Sequence, residues 1–259
     1  LRPIAVEDLL GRPQVTLDHA AIRGLVAGRR VLVTGGGGTI GGELCRQIAG
    51  LSPARLVLID HSEFALYQIT QELRQIGAPV PFQAVLGDVR EAGSMKRLFA
   101  SEAPEVVFHA AAIKHVPIAE AQPCETAATN VLGSRNVADA AAASGARAFV
   151  LISTDKAIRP TSVMGATKRI AEAYCQALDL HGLEGESGEG PATRFMTVRF
   201  GNVLGSSGSV VPLFRQQLAK GGPLTVTHPD MRRYFMTVRE AVQLVLQASA
   251  HGLSHPDEA

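Results

Sequence analysis

A glycine-rich segment between a short apolar run and a helix-like stretch constrains the fold of this chain most. The apolar run covers residues 31–34, Gly35–Gly42 follows directly, and residues with helical periodicity come next. Glycine lets the backbone turn sharply and approach an anion closely, and the first N–H groups of a helix bind phosphate. Gly35, Gly38 and Gly41 give G-x-x-G-x-x-G, which is close to the G-x-G-x-x-G of dinucleotide-binding turns. A plain glycine-rich turn is the alternative.

Asp60 favours the dinucleotide interpretation of these glycines. It ends the next apolar run, 19 residues after Gly41, near the offset at which an acidic side chain bonds the adenosine ribose. A carboxylate there would repel a 2′-phosphate, which favours NAD over NADP, although the neighbouring His61 would soften that preference. Asp88, after the third apolar run, is either a carboxylate near the adenine or a helix N-cap.

Short runs rich in valine, isoleucine and leucine alternate with longer stretches of helical periodicity. This alternation is typical of βαβ units around a parallel sheet that is covered on both faces. We therefore expect an α/β fold with a Rossmann-type doubly wound parallel sheet. The predicted strands are Arg30–Thr34, Arg55–Asp60, Phe82–Leu86, Glu105–Ala110, Ala148–Ser153 and Thr197–Phe200.

The chain divides into three expected parts. Residues 1–27 form a lead-in packed on the outside, 28–200 an NAD-binding domain, and 201–259 a small nucleotide-sugar-binding part. Leu183–Pro191 is rich in glycine and glutamate, which predicts an exposed loop before the sixth strand.

Composition excludes few functions, but the cysteines indicate the cellular compartment. The formal net charge is +1, which gives no reason to expect binding to nucleic acid or to an anionic membrane. Cys45, Cys124 and Cys175 have no C-x-x-C spacing, so we expect reduced packing residues, a reducing cytoplasm and no metal site. No apolar run reaches about 18 residues, so this part of the chain is not expected to contact a membrane.

An acid and an amine, Asp155 and Lys156, stand side by side just after the fifth predicted strand. A second short motif follows at 164–168, where Met164 and Lys168 are four residues apart and so share one face of a helix. Both motifs follow the carboxyl end of the fifth predicted strand, and open parallel α/β sheets bind their ligands at this edge.

The chain resembles the extended short-chain dehydrogenase/reductase superfamily over roughly residues 28–240. In that superfamily a Tyr-x-x-x-Lys helix follows the fifth strand. Its lysine bonds the nicotinamide ribose, and its tyrosine deprotonates the sugar hydroxyl. Here Lys168 matches the lysine, whereas Met164 stands at the tyrosine position and cannot act as an acid or a base. The resemblance rests on the glycine spacing, Asp60, Gly87–Val89, His109–Ala112 and Asn130.

The same resemblance implies NAD as the cofactor. Its contacts would come from the glycine turn, from the ends of the second, third and fourth strands, and from two helices. The implied residues are Thr34, Gly35, Gly37, Gly38, Thr39, Ile40, Gly41, Asp60, His61, Asp88, Val89, Ala110, Ala111, Ala112, Asn130 and Lys168.

Residues 153–157 together with 164–168 look, more specifically, like the bacterial nucleotide-sugar 4,6-dehydratases of the polysaccharide-biosynthesis (CapD-like) type. The similar branch is the long, membrane-anchored one that acts on UDP-N-acetylglucosamine. Related dTDP-glucose dehydratases carry Asp-Glu where this chain has Asp155 and Lys156. The resemblance implies conversion to a UDP-4-keto-6-deoxy-hexosamine by internal hydride transfer through NAD. Three more segments look like the same family: Lys114–Pro117, Arg199–Gly205 and Tyr234–Thr237.

Loss of water across C5 and C6 of the sugar needs a base at C5 and an acid at the 6-hydroxyl, and we assign these roles to Lys156 and Asp155. Each must be in its less common state, a neutral amine and a protonated carboxyl, so the assignment requires a closed, dry pocket. Consecutive strand residues point to opposite faces, so the chain must bend for both to reach one sugar. Thr154 is the candidate contact to the 4-hydroxyl, whose proton goes either to a water held by Thr154 or to Lys156.

At the substrate end, the resemblance implies that Asn202 and Arg233 contact the diphosphate of UDP. Arg232 stands where the family usually has threonine, so the choice between the two arginines stays open. Lys114 is expected to reach the sugar or the diphosphate, and His115 is either a substrate contact or structural. The remaining implied substrate contacts are Ser209 and Val210.

The rival enzyme hypothesis is a nucleotide-sugar 4-epimerase, or a dehydratase that also epimerises C5. An epimerase needs no acid for a 6-hydroxyl and commonly has the tyrosine that Met164 replaces. The alternative from another class is a non-catalytic domain that senses NAD or a nucleotide sugar, which would need neither Asp155 nor Lys156.

The chain ends soon after the apolar segment 241–246, whereas extended members usually continue, so we expect an incomplete substrate subdomain. The resemblance implies a transmembrane portion before residue 1 in the complete protein, with this part on the cytoplasmic face of the inner membrane. We also expect a homo-oligomer.

Overall fold

Six parallel strands form the central sheet of the protein, in the order β3-β2-β1-β4-β5-β6. The computed structural model describes residues 17–78, 80–184, 192–204, 210–226, 228–230 and 234–255. The strand order reverses direction between β1 and β4, and in open α/β sheets the crevice at this switch point binds ligands. The strands are β1 Arg30–Thr34, β2 Arg55–Asp60, β3 Phe82–Leu86, β4 Val106–His109, β5 Ala148–Thr154 and β6 Arg194–Phe200.

Helices cover both faces of this sheet, which confirms the predicted doubly wound α/β fold. A π-helix at Ala128–Gly133 and a 3₁₀-helix at Asp155–Ala157 interrupt the α-helical series. The α-helices are α1 His19–Val26, α2 Thr39–Ala49, α3 Glu63–Gln75, α4 Ala92–Glu102, α5 Val116–Ala121, α6 Pro123–Ala127, α7 Ser134–Ala143, α8 Val163–Glu184, α9 Val210–Ala219 and α10 Val238–Ser254.

Alternation along the strands divides the core into two layers. In β1, Val31 and Val33 pack with Leu44 of α2 on one face of the sheet. Leu32 packs with Phe99 of α4 on the other face. Successive strand residues point to opposite faces, so an all-apolar strand can supply both layers. This arrangement leaves the polar residues at the strand ends free to form a site.

The six predicted strands are the six strands of the central sheet in the same chain order, but some of their ends differ. The first three strands match, whereas the fourth is Val106–His109 rather than Glu105–Ala110, and the fifth continues to Thr154. The sixth begins at Arg194, three residues before the predicted start. Its first residue, Arg194, is charged, so the sequence did not predict that it belongs to a strand. In the structure, Asp179 of α8 pairs with it at 3.0 Å.

Residues 17–27, the described part of the predicted lead-in, contain helix α1, which packs against α10 with one face buried and the other exposed. Helix α1 begins after Asp18, whose carboxylate accepts the N–H groups of residues 20 and 21. Ile22, Leu25 and Val26 are buried in the core beside α10. The lead-in therefore contributes a helix to the same core. Within the predicted loop Leu183–Pro191, residues 183 and 184 belong to α8, and 185–191 lie outside the described residues.

A second, two-stranded parallel sheet lies after β6. It pairs β7 (Asn202–Val203) with β8 (Phe235–Met236), so that Asn202 is opposite Phe235. This pairing brings two sequence-distant segments of the predicted substrate end together. Within the described ranges, no helix is both long and apolar enough to cross a membrane.

Candidate active site

A cleft of about 390 Å³ opens at the carboxyl ends of β1, β2, β3 and β4. It lies where the strand order reverses, and it gathers segments that are far apart in the sequence. Its lining includes most of the residues predicted to bind a cofactor: Gly35, Gly37, Gly38, Asp60, His61, Asp88, Val89, Ala110, Ala111 and Ala112.

The glycine turn is packed too closely for side chains at its two ends. Gly35 has a φ of +67°, and a Cβ there would lie 2.7 Å from the backbone nitrogen of Ala111. A Cβ on Gly41 would lie 1.9 Å from the carbonyl oxygen of Gly35. Helix α2 starts at this turn without a side-chain cap at Gly38. The positive end of the helix is therefore close to the cleft, an arrangement that suits a pyrophosphate.

Asp60 joins the glycine turn to the end of β2. Its side chain accepts hydrogen bonds from the N–H groups of Gly37 at 3.0 Å and Ser62 at 2.9 Å. It is 8% exposed, so a nearly buried carboxylate already holds the turn while it lines the cleft. His61 is close, with Nδ1 3.4 Å from Oδ1 of Asp60, but its side chain is 78% exposed.

Asp88 and Val89 follow the end of β3 and line the cleft. Asp88 accepts the backbone N–H and the guanidinium of Arg90, and this side-chain bond lowers the pKa of its carboxyl against the opposing effect of burial. The N-cap alternative was wrong, because Glu91 is the residue that precedes α4. Val89 is buried against Gly133, where a Cβ would lie 2.8 Å from Cγ2 of Val89.

A buried polar chain supports the end of β4 from behind. Thr34 Oγ1 lies 2.6 Å from Nδ1 of His109, and Nε2 of His109 lies 2.9 Å from Ser134 Oγ. Burial lowers the pKa of His109 to about 3, so the ring is neutral. Thr34 was a predicted cofactor contact, but its buried side chain lies outside the cleft lining.

Asn130 also supports the cleft rather than lining it. Its amide accepts the N–H of Ile113 at 2.9 Å and donates to the carbonyl of Ile113 at 3.0 Å. It also donates to Thr167 Oγ1 of α8 at 3.1 Å. The side chain is fully buried, so it clamps the loop after β4 to α8. Thr39 and Ile40 begin α2, where Ile40 packs against the core.

The predicted bend at the end of β5 is present. The strand ends at Thr154, and the 3₁₀-helix Asp155–Ala157 follows at once. Lys156 Nζ lies 2.9 Å from Oδ1 of Asp155, and Thr154 Oγ1 donates to the same oxygen at 2.9 Å. Residues 154–156 are the candidates for catalysis predicted from the sequence, and we call them the catalytic turn. Consecutive residues thus present an acid and an amine together.

The catalytic turn is open rather than dry. The side chains of Asp155 and Lys156 are 51% and 40% exposed. Burial opposes ionisation of Asp155, but hydrogen bonds from Lys156 and Thr154 outweigh it and lower the pKa of this carboxyl. These contacts therefore favour an ionised Asp155, whereas an acid for the 6-hydroxyl must be protonated.

Helix α8 packs directly against the catalytic turn. A Cβ on Gly165 would lie 2.4 Å from the carbonyl oxygen of Lys156, so only glycine permits this approach. Lys168 is buried and donates to the carbonyl of Ile152 at 2.8 Å. Burial lowers the pKa of Lys168 to about 8. Met164 is buried with 4% exposure, so α8 presents no proton donor at that position.

Sequence reasoning missed Glu172, which is buried one helical turn after Lys168. Its carboxylate accepts Ser153 Oγ at 2.6 Å and Nε of Arg199 at 2.8 Å. Burial raises the pKa of Glu172, but the bonds from Arg199 and Ser153 more than offset this and lower it. A third partner, Arg169, lies three residues earlier on the same helix at 3.3 Å. The local signals were therefore this spacing and the four-residue offset from Lys168, whereas the two stronger partners come from two different strands.

The substrate end is partly described. A Cβ on Gly201 would lie 3.5 Å from Oδ2 of Asp155, so the segment that leads into Asn202 passes beside the catalytic turn. Partial burial lowers the pKa of Lys114 after β4, and His115 is the residue before α5. Val210 begins α9. Two predicted substrate contacts, Ser209 and Arg233, lie outside the described residues.

Residues 31–255 match the family described as polysaccharide biosynthesis protein. The probable polysaccharide biosynthesis protein EpsC of Bacillus subtilis (strain 168) is 49% identical over 251 residues, which are 96% of this chain and 40% of that protein. The chain thus spans about two fifths of the length of this relative. UDP-glucose 4-epimerases of Rickettsia species match at 34% to 35% identity.

Two solved structures illustrate the likeness in fold. Pen from Bacillus thuringiensis superposes with a TM-score of 0.77 at 32% identity, over 88% of this chain and 66% of that one. DesIV from Streptomyces venezuelae, a dTDP-glucose 4,6-dehydratase solved as a double mutant with NAD and DAU bound, gives 0.72 at 22% identity, over 85% and 72%. The second likeness concerns the fold alone.

Proposed function

This chain belongs to the polysaccharide biosynthesis protein family, and from that premise we propose that it is an NAD-dependent nucleotide-sugar 4,6-dehydratase. The proposed substrate is UDP-N-acetylglucosamine, and the product is a UDP-4-keto-6-deoxy-hexosamine. The observation that carries the proposal is the catalytic turn, because it brings the carboxylate of Asp155 and the amine of Lys156 within 2.9 Å at the carboxyl end of the sheet.

The cleft supports NAD as the cofactor. The glycine turn would hold the pyrophosphate, Asp60 the adenosine ribose, and Lys168 the nicotinamide ribose. DesIV, which shares the fold, was solved with NAD bound. When bound, NAD would supply reversible hydride transfer with the sugar. Asp60 disfavours a 2′-phosphate, because it is nearly buried and lines the cleft.

Lys156 is the base that takes the C5 proton, and Asp155 is the acid that protonates the departing 6-hydroxyl. In the open turn these two groups neutralise each other as an ion pair. A sugar between them would separate the pair and exclude water, and desolvation favours the neutral amine and the protonated carboxyl. Substrate binding therefore creates the protonation states that elimination needs.

Thr154 contacts the 4-hydroxyl in this proposal. Met164 is buried and has no exchangeable proton, so the proton of the 4-hydroxyl leaves either through a water held by Thr154 or to the amine of Lys156. The diphosphate of UDP is held from the segment that includes Asn202, together with Arg233. Lys114, His115, Ser209 and Val210 complete the proposed substrate contacts.

A 4-epimerase is the second candidate, because relatives of that name match at up to 35% identity. An epimerase returns the hydride to C4 and leaves the 6-hydroxyl of the sugar in place. It therefore has no use for an acid such as Asp155. The two activities differ in whether the product is a 6-deoxy sugar.

The test uses Asp155→Asn and Lys156→Ala, made separately in the complete protein with UDP-N-acetylglucosamine as substrate. We expect each to lower formation of the 4-keto-6-deoxy product by about 100-fold or more, which is typical of losing a general acid or base. NMR of the products provides the measurement. Glu105→Gln is the matched control, because it alters a partly exposed ion pair with Arg30 at the amino end of the sheet.

Wild-type turnover in both variants would refute the assigned roles. An unchanged C6 hydroxyl with inversion at C4 would identify an epimerase. A wild-type protein that binds NAD and the nucleotide sugar but forms no product would identify a sensing domain.

A further inference from the structure

We propose that Glu172 is a positioning residue. It holds three parts of the site together, namely the catalytic turn, the segment that leads into Asn202, and α8. This inference rests on the proposed function, since it concerns the same site. Glu172 touches none of the proposed reacting groups. It acts through Ser153, which directly precedes the catalytic turn, and through Arg199, which comes shortly before Asn202.

The contacts of Glu172 join three elements at the carboxyl edge of the sheet. Ser153 donates to it at 2.6 Å from β5, one residue before the catalytic turn. Arg199 donates twice from β6, at 2.8 Å and 2.5 Å. Arg199 comes two residues before Gly201, which lies beside Asp155. A shift of this carboxylate would thus move both sides of the proposed sugar site.

A second ion pair between the same two elements provides a comparison. Asp179 of α8 pairs with Arg194 of β6 at 3.0 Å. Both pairs fasten α8 to β6, and Asp179 also accepts the N–H of Phe195 at 2.8 Å. This pair lies at the start of β6, away from the catalytic turn. If fastening α8 to β6 were the whole role of Glu172, the two pairs would be equivalent.

Glu172 also acts on Lys168 through its charge. Burial dominates the pKa of Lys168 and lowers it, while the nearby Cys175 and Glu172 raise it; His109 of β4 also faces this lysine. Neutralising Glu172 would therefore lower the pKa of Lys168 below about 8. In its ammonium form Lys168 donates to the nicotinamide ribose, and this form is lost as the pH rises through the pKa of Lys168. In Glu172→Gln, NAD affinity should therefore begin to fall at a lower pH than in the wild type.

The experiment compares Glu172→Gln, Ser153→Ala and Asp179→Asn in the complete protein. We expect Glu172→Gln to lower kcat by about 10- to 100-fold, the scale of a small misplacement of reacting groups. The highest pH at which Glu172→Gln still binds NAD, measured by calorimetric titration at a series of pH values, should also move to lower pH. Ser153→Ala removes one bond to the same carboxylate and should lower kcat by several-fold with KM nearly unchanged. Asp179→Asn should lower Tm and leave kcat and the NAD profile unchanged.

Equal kcat values in Glu172→Gln and Asp179→Asn, together with an unmoved NAD profile, would overturn the proposal. If Glu172→Gln does not fold, Ser153→Ala decides, and a wild-type kcat in that variant would overturn it. The NAD profile needs no sugar turnover. A wild-type protein without dehydratase activity would therefore refute the proposed function, while the NAD profile would still decide the role of Glu172.

Discussion

The two halves of the carboxyl edge of the sheet differ in how completely their polar groups are engaged. In the cofactor half, Asp60 is 8% exposed and already accepts two backbone N–H groups. In the reaction half, the Asp155 side chain is 51% exposed and pairs with the adjacent Lys156. The polar groups of the first half are already bonded and nearly buried, whereas the ion pair of the second half is open to solvent.

This difference separates binding from chemistry. A preformed cradle can hold a cofactor without reorganisation, which favours affinity. In the proposed mechanism the half-exposed ion pair must lose its water before Lys156 becomes neutral and Asp155 protonated. Changes in the cofactor half should therefore alter NAD affinity, and changes in the catalytic turn should alter turnover.

The largest effect on the cofactor half is expected from Gly41→Ala. The added Cβ would lie 1.9 Å from the carbonyl oxygen of Gly35, so the turn must open. We expect NAD affinity to fall by about 100-fold, or ~2.7 kcal/mol, measured by calorimetric titration.

Gly42→Ala is the matched control in the same helix. The nearest atom to its Cβ would be the carbonyl oxygen of Gly36 at 3.4 Å. NAD affinity should stay within about twofold of the wild type, and Tm should rise slightly because alanine favours a helix by about 0.5–1 kcal/mol. Equal losses in the two variants would contradict a role for the close contact at Gly41.

A smaller effect is expected from Asp60→Asn. A hydrogen bond to a charged group contributes about 1.5–3 kcal/mol, so NAD affinity should fall by at least about tenfold, and the preference for NAD over NADP should narrow. Parallel titrations with the two cofactors measure this. His61→Ala, at an exposed neighbour, should change both affinities by less than about twofold. An unchanged NAD to NADP ratio in Asp60→Asn would contradict the assigned role.

Most of the sheet followed from the sequence, because buried parallel strands are continuous apolar runs between helical stretches. The glycine turn and Asp60 were found for a similar reason, since their roles depend on short-range spacing. The start of β6 was missed because Arg194 is charged, and its ion pair with Asp179 joins residues 15 apart in the sequence.

The supporting residues of the site gave little local signal, because their main partners are far away in the sequence. Glu172 depends on Arg199, 27 residues later, and His109 depends on Thr34, 75 residues earlier. Such pairs form only when the sheet brings distant strand ends together. The ion pair of the catalytic turn joins adjacent residues, but its exposure to solvent depends on tertiary packing and could not be predicted from those two residues alone.

Turnover of UDP-N-acetylglucosamine in deuterated water tests the central claim most directly. If Lys156 removes the C5 proton and Asp155 helps to expel the 6-hydroxyl, the product will be a 4-keto-6-deoxy sugar with solvent deuterium at C5. NMR and mass spectrometry will locate the label. A product with neither a 6-deoxy centre nor deuterium at C5 would contradict the assignment of a 4,6-dehydratase.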